Sequence, residues 1–363
     1  MLGLYIHIPF CHNICHYCDF VKVGVKKKEL RLQYLNTLIK ELNKYQNQFN
    51  KIDTIYIGGG TPNTLTNEEL IMLLEALKPI KPKEFTIELN PESYSDEQGE
   101  IFKKYGINRV SIGAQTSNQG LLKFLNRKHN NSQVIHTVSS LKKLGIKNIN
   151  LDLIFAIPGQ TLEMINQDLD FFLKLEIPHL SYYNLILEEN TYFHYLYNRN
   201  EFSEVDDDTS RKMYELIIEK LTSFGYNHYE ISNFSQPNYE SLHNLKYWEN
   251  QDYIGIGLGS HGLIKGKRMY SERSFNKYLK NTLYKEETLT KSDQITETLI
   301  MGLRLTKGIK INQVNLQYGI DLHQLFPKIE EMKELKLLTE EDGYLKLTKE
   351  GIFLGNQVFQ IFV

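Results

Sequence analysis

From Leu2 to about Ile186, short β-rich apolar runs alternate with longer stretches in which apolar residues recur every three or four positions. The runs predict strands over 4–8, 54–58, 85–89, 109–113, 149–155 and 180–186. The longer stretches predict helices over 29–47, 67–78, 95–105, 131–144 and 161–174, with another over 206–222. Strands that alternate with helices imply parallel pairing through right-handed crossovers, an α/β fold. Period alone leaves open whether such a sheet lies flat or curls into part of a barrel.

Beyond this the pattern changes. Residues 231–290 are less regular, aromatic and glycine-rich, and are expected to connect the first unit, 1–230, to a small C-terminal domain, 291–363. That last stretch reads as helices and then a hairpin over 337–348 with Asp342-Gly343 at its centre, a winged-helix-like arrangement. From Lys291 onward nine Lys or Arg face ten Asp or Glu, so the basic face that nucleic acid would need is missing. The whole chain carries a net charge of -2, which gives no general pull toward nucleic acid either.

The chemistry concentrates after strand ends. The chain has three cysteines, and all lie in one eight-residue window, Cys11-His12-Asn13-Ile14-Cys15-His16-Tyr17-Cys18, directly after the first strand. Three thiolates spaced CxxxCxxC can hold three irons of a 4Fe-4S cluster and leave the fourth iron open. An odd count and tight spacing argue against disulfides. Zinc would want a fourth ligand, with His12 or His16 as candidates, and a more distant second pair is its usual pattern. Gly58-Gly59-Gly60-Thr61-Pro62 ends the second strand, and its glycines let a ligand approach the backbone closely. Glu88 and Asp152 lie in apolar strands, where a carboxylate needs a partner; Arg109, Arg127 or a polar ligand could provide one.

Together these residues resemble the radical S-adenosylmethionine superfamily, in the branch that contains oxygen-independent coproporphyrinogen III oxidase. The likeness rests on Tyr5-Ile6-His7-Ile8-Pro9-Phe10-Cys11, Cys15-His16-Tyr17-Cys18, the Gly58–Pro62 turn, Gln115, Arg127 and Asp152, and spans nearly the whole chain. It implies a partial (β/α)6 barrel. It also implies that Cys11, Cys15 and Cys18 ligate the cluster and that Tyr5, Tyr17, Gly59, Gly60, Thr61, Glu88, Gln115, Arg127 and Asp152 contact S-adenosylmethionine.

Two departures separate the chain from the oxidase. Phe20 stands where the oxidase has a further cysteine, and the first strand begins within a few residues of Met1. His243-Asn244-Leu245-Lys246-Tyr247-Trp248 matches the HNxxYW segment of the related haem chaperone branch. Imidazole is a good axial ligand for haem iron, and the aromatic rings would offer a flat surface; a hydrogen-bonded core histidine is the other reading. His194, His228 and His261 are further candidate ligands. The resemblance implies a chaperone that binds haem and passes it to apo-haemoproteins, with respiratory enzymes at the membrane among the recipients, and it admits a homodimer. Decarboxylation of a porphyrinogen is the alternative. With no signal-like or membrane-spanning run in the sequence, a cytoplasmic location is expected.

Overall fold

The computed structural model describes residues 1–280, 282 and 285–363. Six parallel strands, β1 (Leu2–Ile8), β2 (Ile52–Gly59), β3 (Glu84–Leu89), β4 (Arg109–Gln115), β5 (Asn148–Phe155) and β6 (His179–Asn184), pair in chain order. Helices α1 (Lys28–Asn43), α2 (Asn67–Leu77), α3 (Asp96–Lys104), α4 (Gln119–Phe124), α5 (Asn131–Lys143) and α6 (Leu162–Leu173) fill the crossovers. Each predicted strand and helix is present to within a few residues. The short α4 escaped the sequence reading because six residues are too few to show a helical period.

The caps explain where the helices begin. Thr66 and Glu69 form a reciprocal capping box at the start of α2, as Asn130 and Gln133 do at α5, satisfying N–H groups that the first turn would leave unpaired. Outward-pointing Leu4, Ile6, Ile55, Ile57, Ile87, Val110, Ile112, Ile149, Leu151 and Leu180 pack against the helices in one large core. The alternate positions point to the concave side and are polar: Tyr56, Glu88, Ser111, Asn150, Asp152, His179 and Ser181 hydrogen-bond across strands there. One face holds the fold together and the other lines the concave side.

Residues 231–290, irregular in pattern, contribute strands to the sheet. With Asn227–Glu230 they extend the same sheet to twelve strands: Asn233–Ser235 pairs antiparallel with β6 and with Asn227–Glu230, and Tyr253–Ile256 pairs parallel with β1 and continues through three further antiparallel strands. These strands are four residues or fewer, and such short strands give little periodicity to read.

The C-terminal unit has its own core, with Leu299, Ile309, Val314, Leu322, Ile329, Leu345 and Val358 at its centre. Its hairpin pairs Leu338–Glu341 with Tyr344–Leu347, and Asp342 and Gly343 both take positive φ, 51° and 75°. That is the two-residue turn the sequence predicted. Among the described residues no helix is long and apolar enough to cross a membrane.

Candidate cluster and cofactor site

A cavity of about 350 Å³ opens at the C-terminal ends of the strands. Cys11, Cys15, Tyr17, Cys18, Gly59, Gly60, Thr61, Glu88, Gln115, Arg127 and Asp152 all line it, though they lie up to 141 residues apart in sequence. In parallel α/β folds this edge is where ligands sit.

The cysteine loop is held from several sides. Phe10–Cys11 pairs with Val23–Gly24, while the His16 N–H donates to the Leu125 carbonyl and the His16 carbonyl accepts from Phe193 N–H. Thr61 Oγ1 lies 3.6 Å from Cys11 Sγ and Arg127 Nη1 lies 3.6 Å from Cys15 Sγ. Burial pushes the Cys11 thiol up to about 11 and also raises Cys18, so both favour the neutral form without a metal to hold their charge. Neither His12 nor His16 lines the cavity, and His16 Nδ1 is bonded to the Phe124 carbonyl at 2.9 Å. Among the described residues no three His, Cys, Asp or Glu side chains converge on a single ion position. Three thiols that face one cavity from separate points suit a cluster with one iron per thiolate.

The glycine turn leaves room for nothing but backbone. A Cβ on Gly59 would lie 2.4 Å from His7, one on Gly60 2.7 Å from Pro9, and one on Gly58 2.8 Å from the Glu88 carboxylate; Gly59 also has φ 113°. Glu88 accepts from Tyr56 Oη at 2.7 Å and from Gly59 N–H at 3.0 Å. Burial, with the nearby Asp152 adding to it, nevertheless pushes its carboxyl up to about 7. Asp152 accepts from Ser111 Oγ at 2.7 Å and Asn150 Nδ2 at 2.9 Å, and burial raises it too. Burial opposes the charge of Arg127, but Cys15, Tyr17 and Glu92 outweigh it and keep the guanidinium firmly protonated. Its Nη2 donates to Asn90 Oδ1 at 2.8 Å and to the Gly113 carbonyl at 2.7 Å.

Several hydrogen-bonding groups here remain unused. Gln115 is held at φ 56°, a costly conformation for a side-chain residue, and its Oε1 is buried without a partner, as is Arg127 Nε. Two half-buried carboxyl groups can receive the amino and sulfonium charges of S-adenosylmethionine, and bare glycine backbone can lie against it. The donor set fits both groups.

Two models of known families match the sequence: the radical SAM superfamily over residues 5–172 and the HemN C-terminal domain over residues 289–354. The heme chaperone HemW of Lactococcus lactis is 40% identical over 99% of this chain and 96% of its own length. Its counterpart in Bacillus subtilis is 36% identical over 100% of this chain and 99% of its own length. The chain belongs to the HemW family of radical SAM proteins. That family implies a 4Fe-4S cluster and S-adenosylmethionine. The fold is also that of coproporphyrinogen III oxidase (HemN) from Escherichia coli, with TM-score 0.86 and 21% identity over 99% of this chain and 89% of that one.

The HNxxYW segment of this HemW family member is not where a surface ligand site would be. His243 is 0% exposed, on a short helix, Leu242–Trp248, that closes the opposite, N-terminal end of the barrel. Its Nδ1 is bonded to Thr54 Oγ1 at 2.9 Å and its Nε2 to Tyr247 Oη at 2.8 Å. The Trp248 ring is covered by the Arg304 guanidinium at 4.6 Å. The core-histidine reading describes this structure, and neither ring nitrogen is free for iron. Tyr5 is likewise not on the cavity wall: its hydroxyl meets His7 Nδ1 at 2.9 Å, beneath Tyr56. The other candidate histidines stand away from the cavity too. His228 stacks on Phe234 at 4.5 Å, His261 meets Tyr270 at 4.9 Å on an added strand, and His194 bonds Asn198. Tyr56, Ser111, Tyr183 and Asn184 line the cavity without having been expected. Tyr56 and Ser111 stand two residues from Gly58 and Gly113 on the same strands, so the period of two was the signal that could have found them.

Proposed function

We propose that this protein is a haem chaperone: it binds haem and transfers it to apo-haemoproteins, and carries a 4Fe-4S cluster on Cys11, Cys15 and Cys18. S-adenosylmethionine would lie against Gly59, Gly60 and Thr61, with Glu88, Gln115, Arg127 and Asp152 around its polar groups. When bound, the cluster supplies an open iron position and an electron. The protein's own part is to bury the thiols, to keep Arg127 beside Cys15, and to hold two carboxylates ready for the cofactor's positive charge.

The observation that carries the reading is the 40% identity to the Lactococcus lactis heme chaperone along essentially the full length of both chains. The likeness to the oxidase, at 21% identity, is one of fold. Phe20 adds support, since an exposed aromatic ring stands at the cavity where the oxidase would carry a cysteine.

The test is an anaerobic preparation with its cluster reconstituted, divided between a haem titration followed by transfer to an apo-cytochrome, and a coproporphyrinogen III decarboxylation assay with S-adenosylmethionine and reductant. Stoichiometric binding and transfer without decarboxylation is the expected result. Robust protoporphyrinogen formation would overturn it in favour of the oxidase.

A further inference from the structure

We propose that the haem macrocycle lies across the mouth of the barrel, on Ile14, Phe20, Tyr183 and Ile186, rather than beside His243. The inference rests on the haem-binding reading above and assigns its place.

Large apolar side chains exposed in one group call for a covering. Ile14 is 47% exposed, Phe20 67%, Tyr183 40% and Ile186 63%, and all four also line the cavity. Ile14 and Phe20 come from the cysteine loop, Tyr183 from the end of β6 and Ile186 from the segment after it. They form a rim above polar groups already suited to the cluster and cofactor. What the rim itself offers is apolar contact, which a polar, charged cofactor does not need. A flat apolar ring does need it. Lys22, on the same wall, donates to the Cys18 carbonyl and, at 3.3 Å, to the Phe20 carbonyl, and its remaining N–H can meet an acidic edge such as a propionate.

Two alternatives fit less well. His243 would have to give up both its hydrogen bonds, and Leu242–Trp248 the two backbone N–H bonds that Glu84 accepts at 2.9 Å, before iron could reach an imidazole nitrogen. A protein partner wants an interface of about 1,000 Å² or more, whereas these four side chains ring a single opening. Haem across the mouth needs no rearrangement of the floor, and would place the bound cofactor directly beneath it.

The experiment is a Soret-band titration of haem into the cluster-loaded protein and its Phe20→Glu, Ile186→Glu and His243→Gln variants, with S-adenosylmethionine binding measured in each by equilibrium dialysis. Removing apolar contact from one rim position is expected to weaken haem about tenfold or more, with cofactor binding unchanged and His243→Gln close to the unmutated protein. Equal haem affinity in both rim variants, or loss confined to His243→Gln, would overturn the assignment. So would a self-association that Phe20→Glu abolishes while haem affinity stays the same, since the rim would then cover a second copy. No haem binding by the unmutated protein refutes the functional reading itself. Both rim side chains are exposed, so their variants should fold, and a thermal melt checks this.

Discussion

The two ends of the barrel are built from similar residues and do opposite things. At the closed end, His243, Thr54, Tyr247, Glu84, Lys246 and Asp53 are paired with one another, although Trp248 Nε1 and Arg109 Nε lack a partner there. At the open end, Gln115 Oε1 and Arg127 Nε are buried and unpaired, and Glu88 and Asp152 are both held up in pKa by burial. Buried polar groups that satisfy each other stabilise a structure, and buried groups left unsatisfied mark where a ligand completes it. The C-terminal ends of the strands gather the candidate site, as is usual in parallel α/β folds, and the N-terminal ends are closed by packing.

The largest effect that could break this comparison concerns the thiols. Cys15→Ala is expected to abolish the iron-sulfur absorption after reconstitution while leaving the melting temperature of the cluster-free protein close to unchanged. A melting point that collapses in the cluster-free variant would mean the open end is structural as well.

His243→Ala should do the reverse. It removes a buried ring and strands Thr54 and Tyr247, at a cost of about 2–4 kcal/mol in urea unfolding, with cluster content retained. A near-neutral change would contradict the picture of His243 as a paired core residue.

The two ends should also titrate with opposite sign. Burial lowers His243 from 6.5 to about 3; the unfolded chain then binds the extra proton, so this group's contribution falls as pH drops from about 6.5 toward 3. Glu88 is raised from 4.5 to about 7. The folded chain binds the extra proton there, and stability from this group is lost as pH rises from about 4.5 through 7. Glu88→Gln should flatten that second slope, by roughly 2–3 kcal/mol across the window, and His243→Gln the first. Denaturant midpoints measured from pH 4 to 8 distinguish them; a Glu88→Gln profile parallel to the unmutated one would remove the claim that burial raises this carboxyl.

The smallest effect lies at the edge of the floor. Arg304→Ala uncovers Trp248 and should cost about 0.5–1 kcal/mol, read from the same unfolding curves, with a red-shifted tryptophan emission because this is the chain's one tryptophan.

Much of the architecture is legible in the sequence. Apolar alternation with helical repeats specified six strands and their crossovers, because a strand buried on its outer face and a helix with one apolar stripe each leave a period that survives in one dimension. The cysteine motif was legible for a similar reason: residues carried on one short loop show their arrangement as sequence distance. The strands after residue 231 were not legible, since segments of three or four residues borrow their stability from a sheet already formed.

The fate of His243 shows what sequence could not decide. A histidine beside two aromatics reads equally as an iron ligand or as a core residue, and the choice depends on whether Thr54 and Tyr247 take its two nitrogens, a contact between β2 and a helix 189 residues away. The gathering of Cys15, Glu88, Arg127 and Asp152 around one cavity is likewise a product of parallel strands that end at the same edge. Local pattern determined the elements and the ligand types. Tertiary structure alone decided which polar side chains would satisfy each other and which would be left for something else to bind.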